Sequence, residues 1–155
     1  MSCRSKLIRW RRPIRRMGAR RKGPVMIKER PSVFVVDDEP VIAETLATIL
    51  QQSGFEAIFF TNPQEALKAA GTKTPDLLLS DVMMPQLSGI DLAISIQGSH
   101  PECKILLFSG QAQTEDLLAS ARKQGYEFRL LTKPVHPGVL LRLIREQNPA
   151  WALGA

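Results

Sequence analysis

Cysteine is scarce in this chain of 155 residues, which contains Cys3 and Cys103. Cys3 lies in a polar basic segment and Cys103 follows the loop-like stretch "SHPE", a placement that suggests neither a disulfide framework nor a zinc site. A reducing, cytoplasmic setting is therefore expected. Long hydrophobic runs are also missing. No apolar stretch approaches the ~20 residues that a membrane helix needs, so we expect no membrane span.

Acidic residues are almost missing from residues 1–30, which hold 12 Lys or Arg and one acid, Glu29. Residues 31–155 hold 9 Lys or Arg and 14 acids, a net charge of −5, although the whole chain carries +6. The chain therefore divides into a basic tail and an acidic domain.

The tail, residues 1–30, has no apolar core of the kind found in secretory signals. Three interpretations stay open. It is a disordered, solvated segment; or it is an upstream misreading, with Met26 as the true start; or it is an arm that binds phosphates or a membrane surface, with Trp10 as a stacking or interfacial group.

From Ser32 onward, short apolar runs alternate with stretches of helical periodicity. The runs that predict strands are residues 33–36, 57–60, 77–80, "KILLFSG" ending at Ser109, and "EFRLLTKP" reaching Lys133. Each is followed by apolar residues at helical spacing, with start and stop signals around them. Five strand–helix repeats predict an α/β domain over residues 31–148: a five-stranded parallel sheet, doubly wound by helices. Residues 149–155 are predicted to be a C-terminal tail.

Polar side chains follow the predicted strands. They are Asp37, Asp38 and Glu39 after the first strand, Asp81 after the third, Ser109 at the end of the fourth and Lys133 at the end of the fifth. The carboxyl ends of parallel strands share one edge of a sheet, so these groups are expected to meet there. Two carboxylates ~4 Å apart repel by about 4 kcal/mol at an effective dielectric of ~20, so positive charge must offset them. Lys133 offers one charge, and oxygen ligands without nearby His or Cys favour Mg²⁺.

Each of these residues also has a purely structural interpretation. Acids after a strand commonly cap the next helix, a serine commonly occupies a turn, and a lone lysine is commonly a solvated charge. Their joint placement at one edge is what favours a functional site.

The motifs "VVDDEP", "LLLSDVMMPQLSGIDL", "ILLFSG" and "LLTKP", in this order and spacing, resemble a response-regulator receiver domain of two-component signalling. The resemblance covers about residues 32–147 and suggests the single-domain type. It implies a flavodoxin-like (βα)5 fold and a phosphoacceptor switch rather than an enzyme.

The resemblance also implies a role for each site residue. Asp81 would accept the phosphoryl group from a sensor histidine kinase or a phosphotransfer protein. Mg²⁺ would be held by Asp38 and Asp81 directly, by Asp37 through water and by the backbone carbonyl of Met83. Lys133 and Ser109 would bind phosphoryl oxygens. The accessory positions would be Glu39, Gly110, whose missing side chain leaves the approach open, and Pro134, whose bond to Lys133 is typically cis in the family.

Two positions depart from the family pattern. An aromatic residue usually stands three positions before the lysine, where this chain has Leu130. Residues three apart on a strand face opposite sides, so Leu130 should point away from Lys133. Phe128 shares the face of Leu130 and is either its substitute or part of the core. Met83 places an apolar side chain beside the phosphoryl site, from which we expect slow self-hydrolysis.

The sequence leaves four functions open. The first is a stand-alone switch that contacts a separate downstream protein through residues 114–148, since no output domain follows in the sequence. The second is a receiver-regulated nucleic-acid-binding protein that uses the basic arm. A small Mg²⁺-dependent phosphatase is the third, although no added acid–base residue is evident. The fourth, a degenerate receiver, conflicts with the complete acidic set.

Overall fold

The computed structural model describes residues 29–110 and 114–154, with the side chains of residues 153 and 154 left aside. Most of the basic tail, the Met26 start and Trp10 lie outside the described residues. Strands and helices alternate along the chain. They are β1 Ser32–Val36, α1 Pro40–Gln52, β2 Glu56–Phe60, α2 Pro63–Ala70, β3 Leu77–Asp81, α3 Gly89–Ser99, β4 Lys104–Ser109, α4 Thr114–Lys123, β5 Arg129–Thr132, α5 Pro137–Gln147 and a 3-10 helix, Pro149–Gly154.

The five strands form one parallel sheet in the order β2-β1-β3-β4-β5. β2 lies on one side of β1, and β3, the next strand along the chain, lies on the other side. The strand order therefore reverses between β1 and β3. Ligands of such sheets bind outside the carboxyl ends of the strands at this point. The predicted doubly wound α/β architecture is confirmed.

Helices cover both faces of the sheet, which explains why β1 and β3 are buried along their whole lengths. One core cluster packs α1 and α5 against the sheet through residues such as Leu46, Leu50, Leu140 and Ile144. The other packs α2, α3 and α4 against the opposite face. None of the described helices combines the length and apolar character that crossing a bilayer requires.

Local signals in the sequence set the helix starts. Pro40 opens α1, where its missing N–H costs no hydrogen bond. Asn62 caps α2 by accepting a hydrogen bond from the Gln64 N–H at 2.9 Å, and Ser88 caps α3 through the Asp91 N–H at 3.1 Å. These caps fix where each helix leaves the carboxyl edge of the sheet.

The segment predicted as a C-terminal tail contains the 3-10 helix Pro149–Gly154. Its Trp151 ring meets the Phe55 ring edge-on, with centroids 6.3 Å apart. Phe55 directly precedes β2, so this contact lies at the amino edge of the sheet, opposite the edge that carries the polar groups.

Candidate functional site

Asp37 directly follows β1 and its side chain is 0% exposed. Its Oδ1 accepts a hydrogen bond from the Glu39 N–H at 2.9 Å, and its Oδ2 accepts one from Lys133 Nζ at 3.1 Å. Burial raises the pKa of this carboxyl, while the Glu39 N–H and the Lys133 ammonium act in the opposite direction. Both carboxylate oxygens of the buried Asp37 thus accept a hydrogen bond.

Asp81 is the last residue of β3 and is also buried. Its Oδ1 accepts a hydrogen bond from the Met83 N–H at 3.3 Å, and its Oδ2 accepts one from Lys133 Nζ at 3.1 Å. The Ser80 hydroxyl donates to the Asp81 carbonyl at 2.9 Å. Hydrogen bonds therefore hold both the side chain and the backbone carbonyl of Asp81.

Lys133 reaches this edge from the end of β5, across β4 and β3. Its backbone N–H donates to the Ser109 carbonyl at 2.9 Å, and its Nζ lies 5.1 Å from the centre of the Phe108 ring. Burial lowers the pKa of Lys133, but the hydrogen bonds and charges of Asp81 and Asp37 outweigh it and leave the pKa raised. The ammonium group is held charged between two carboxylates.

Three acidic side chains at this edge are placed so that they could hold a metal ion. Asp37, Asp38 and Asp81 each offer a carboxylate oxygen, and these oxygens lie within 4.8 Å of one another. Asp38 is exposed, which leaves a side of the cluster open to water. Three carboxylates against the single Lys133 ammonium leave two negative charges among these four groups. A hard divalent ion that keeps part of its hydration shell fits this donor set.

The remaining predicted residues surround this centre. Met83 is exposed in the loop after β3 with its N–H directed at Asp81; the role predicted for its carbonyl stays a prediction. A Cβ added to Gly110 would lie 3.7 Å from the Lys133 Cβ, so its missing side chain leaves space beside the lysine stem. The Lys133–Pro134 peptide bond is cis, as the resemblance implies.

Ser109 ends β4 and its hydroxyl lies 2.7 Å from the hydroxyl of Thr114, the first residue of α4. The structure therefore places Ser109 on the strand next to Asp81 and pairs it with the following helix.

The capping interpretation of the acids is not supported at Glu39. Glu39 occupies the N-cap position of α1 and is exposed, but its side chain makes no capping hydrogen bond. The carboxylate that accepts the Glu39 N–H belongs to Asp37. We see no role for the Glu39 carboxylate beyond adding negative charge at this edge.

Leu130 on β5 and Phe128 just before this strand both pack on the core side of the sheet, Phe128 buried and Leu130 partly buried. Leu130 packs against the α2–α3–α4 cluster, on the face opposite Lys133, as the alternation of the strand predicts. Phe128 belongs to the same cluster and stacks on Tyr126 with ring centroids 5.8 Å apart. The core interpretation of Phe128 is the one that the contacts support.

Sequence reasoning missed several residues that shape the site. Phe108 lies under the lysine, and Thr114 pairs with Ser109. The Ser80 hydroxyl binds the Asp81 carbonyl, and the missing side chain of Gly89 lets the start of α3 approach that carbonyl. Only Thr114 gave a usable signal, because a threonine at a predicted helix start five residues after Ser109 is close to the strand end in sequence.

The geometry defines a class: a parallel α/β domain with an acidic, lysine-bridged cluster at the carboxyl edge. The family model of the response regulator receiver domain matches residues 33–145. The chain belongs to this family, and so carries a receiver domain of two-component signalling.

Three similar proteins illustrate the match. The DNA-binding transcriptional regulator NtrC of Escherichia coli K12 is 37% identical over 106 residues, which are 68% of this chain and 22% of that protein. The phosphoglycerate transport system transcriptional regulatory protein PgtA of Salmonella typhimurium is 32% identical over 121 residues, 78% of this chain and 29% of PgtA. The signal receiver domain of an HD domain-containing protein from Pseudomonas fluorescens Pf-5 superimposes with a TM-score of 0.71 at 27% identity, covering 80% of this chain and 98% of that one. The chain thus spans less than a third of the two curated relatives and nearly all of the solved receiver domain.

Proposed function

We propose that Asp81 accepts a phosphoryl group from the phosphohistidine of a sensor histidine kinase or phosphotransfer protein in the cytoplasm. The observation that carries this proposal is the contact of Lys133 Nζ with both Asp37 and Asp81, at 3.1 Å each, beside the exposed Asp38. Residues from the ends of three strands meet there. If these residues were only helix caps or solvated charges, there would be no reason for them to meet.

The proposed step is a displacement at phosphorus. An Asp81 carboxylate oxygen forms the P–O bond while the P–N bond to the kinase imidazole breaks, and the imidazole keeps the electron pair and takes up a proton. Phosphoryl transfer depends on positioning and on neutralising the charge of the transferred oxygens. Lys133 contributes the fixed positive charge, and the Met83 N–H and Lys133 Nζ orient the Asp81 carboxylate.

Mg²⁺ bound by Asp37, Asp38 and Asp81 would supply the second positive charge. The fit rests on the oxygen-only donor set and on the two negative charges that Lys133 leaves uncompensated. Binding should be visible without any phosphoryl chemistry, as heat of Mg²⁺ binding that is lost in Asp38→Ala.

We propose further that the chain is a switch rather than a multiple-turnover enzyme. Its own chemistry would be limited to self-phosphorylation and self-dephosphorylation. Small phosphomonoesters should be hydrolysed no faster by wild type than by Asp81→Ala; sustained turnover that depends on Asp81 would favour the hydrolase alternative.

The output is proposed to be a protein–protein contact made by α4, β5 and α5. Phosphorylation adds about −1.5 to −2 charge at the edge from which α4 begins. Leu117 on α4 and Val139 on α5 expose apolar surface that a partner could cover. A pull-down with phosphorylated and unphosphorylated chain should retain such a partner in one state only. The stand-alone role is tested separately by the intact mass of the endogenous protein.

The decisive experiment is incubation with acetyl phosphate and Mg²⁺, followed by intact mass. We expect a gain of one phosphoryl group, its loss in Asp81→Ala, and its retention in Asp116→Ala, an exposed acid on α4. Chelation of Mg²⁺ should prevent the gain. Equal phosphorylation of wild type and Asp81→Ala would overturn the proposal.

A further inference from the structure

We propose that Thr114 is a positioning residue for Ser109: its hydroxyl holds that of Ser109 in the resting state, and phosphorylation of Asp81 breaks this contact between β4 and the first turn of α4. The inference rests on the proposed function, since it names how that same site is regulated.

The two hydroxyls form a buried pair. Ser109 is 3% exposed and Thr114 is 1% exposed, and their oxygens lie 2.7 Å apart. Buried hydroxyls are shielded from competing water, so a bond between them contributes more to fixing geometry than a similar bond at the surface. The contact joins the last residue of β4 to the first residue of α4.

The position of Ser109 makes the contact sensitive to the phosphoryl group. β4 pairs with β3 so that Phe108 lies opposite Asp81, and Ser109 is the next residue toward the carboxyl edge. A hydroxyl has a single proton to donate. Either hydroxyl can be the donor of the present bond. In both cases, a Ser109 hydroxyl that turns toward a phosphoryl oxygen on Asp81 to donate its proton there gives up the 2.7 Å contact with Thr114.

Loss of the contact between Ser109 and Thr114 would act on the start of α4. Leu118 and Ala121 pack α4 onto the core one to two turns further along, while the Thr114 hydroxyl ties the first residue of α4 to β4. Breaking the hydroxyl pair therefore weakens the tie between β4 and the end of α4 nearest the site and leaves the rest of the helix anchored.

The contacts around β5 are a further reason to assign the coupling in this chain to the pair of Ser109 and Thr114. Leu130 occupies the position of the family's usual aromatic residue and packs against the core, and Phe128, the candidate substitute, is buried in the core. Thr114 instead touches Ser109 directly. The coupling between Ser109 and the proposed output surface on α4, β5 and α5 is thus assigned to a residue of α4.

Thr114→Val tests the inference, because valine keeps the branched shape and removes the hydroxyl. With beryllofluoride as the phosphoryl mimic and Mg²⁺ in excess, we expect binding about three- to tenfold tighter than wild type, the worth of one hydrogen bond. Thr114→Ser should restore wild-type affinity. The affinity for Mg²⁺ alone should not change in either variant, whereas a general loosening of the site would alter it. Should the valine variant not fold, Thr114→Ala takes its place.

A second pair of variants shows whether Thr114 acts through Ser109. In the Ser109→Ala background, Thr114→Val should have no further effect on beryllofluoride affinity. An unchanged affinity in Thr114→Val, or an equal shift with and without Ser109, would overturn the inference while leaving the phosphoacceptor role of Asp81 intact. Wild-type protein that binds no beryllofluoride would overturn the proposed function and this inference together.

Discussion

Lys133 places one positive charge between two buried carboxylates, and its removal would leave Asp37 and Asp81 facing each other. We predict that Lys133→Met lowers the free energy of unfolding by about 1–3 kcal/mol, less than a fully buried pair because the lysine is partly exposed. Added Mg²⁺ should recover more stability in the variant than in wild type, since a cation then replaces the lost charge. Urea denaturation with and without Mg²⁺ measures both effects.

The matched control is Lys73→Met, which removes an ion pair with Glu56 at 2.7 Å in which the side chains are 53% and 51% exposed. Exposed pairs contribute at most about 1 kcal/mol, so this variant should lose little. Equal losses in the two variants would mean that the Lys133 contacts have no special energetic role.

Met83 lies beside Asp81 with its side chain 37% exposed, where an attacking water would approach a phosphorylated Asp81. An apolar side chain cannot orient that water, whereas an amide can. We predict that Met83→Asn shortens the lifetime of phosphorylated Asp81 several-fold. Decay after removal of the donor, followed by intact mass, measures it. Leu117→Asn, at a similarly exposed position on α4, should decay like wild type; an unchanged lifetime in Met83→Asn would contradict the role given to Met83.

Among the elements, α3 begins in close contact with the end of β3. A Cβ on Gly89 would lie 1.8 Å from the Asp81 carbonyl oxygen and 2.9 Å from the Ser80 hydroxyl oxygen. Since the backbone of α3 cannot approach Asp81 with any side chain there, we predict that Gly89→Ala costs about 1–3 kcal/mol or more and slows phosphorylation of Asp81. Thermal unfolding and the rate of mass gain report the two effects.

Gly98, near the other end of the same helix, gives the control for Gly89. A Cβ at Gly98 would lie 3.9 Å from the Tyr126 hydroxyl, an ordinary contact. Gly98→Ala should therefore be neutral or slightly stabilising, because alanine favours the helix more than glycine does. A Gly89→Ala protein as stable and active as Gly98→Ala would refute the close approach.

Cys103, just before β4, gives a stability signal that depends on pH. Burial raises the pKa of its thiol from an ordinary 9.0 to about 12, outweighing a hydrogen bond from the Leu78 backbone that lowers it. The folded protein keeps this proton after the unfolded chain has released it, so the contribution to stability is complete below pH 9 and is lost as pH rises toward 12. Relative to Cys103→Ala, wild type should lose about 2 kcal/mol between about pH 8 and pH 10.5 in urea denaturation. Parallel pH profiles of the two proteins would contradict this burial.

Element boundaries followed from local signals, while the burial of adjacent apolar residues did not. Proline, asparagine and serine at helix starts act through their own backbone or a capping bond, so their effect is readable from nearby residues. Leu117 and Leu118 both fit the periodicity of α4, yet Leu117 is 38% exposed and Leu118 is buried. Which of two neighbours faces the core depends on how the helix is rotated on the sheet, and the pattern alone does not fix that.

For the whole molecule, the position of the site followed from topology, because parallel strands bring their carboxyl ends to one edge. Asp37 and Lys133 are 96 residues apart and still meet at 3.1 Å. The contacts of Gly89 and Thr114 could not be predicted in this way, since they depend on how closely two elements approach. The packing of Trp151 on Phe55 was missed for a related reason: a short apolar segment after α5 carries no periodicity that marks it as packed.

The central claim is that this edge makes Asp81, among several nearby acids, the group that carries the phosphoryl. Borohydride reduces an acyl phosphate to the alcohol, so treating the phosphorylated full chain and mapping its peptides by mass identifies the modified residue directly. The account predicts a homoserine at position 81, formed only with Mg²⁺ and phosphodonor present. Homoserine at Asp37 or Asp38, or reduction at none of the three, would contradict it.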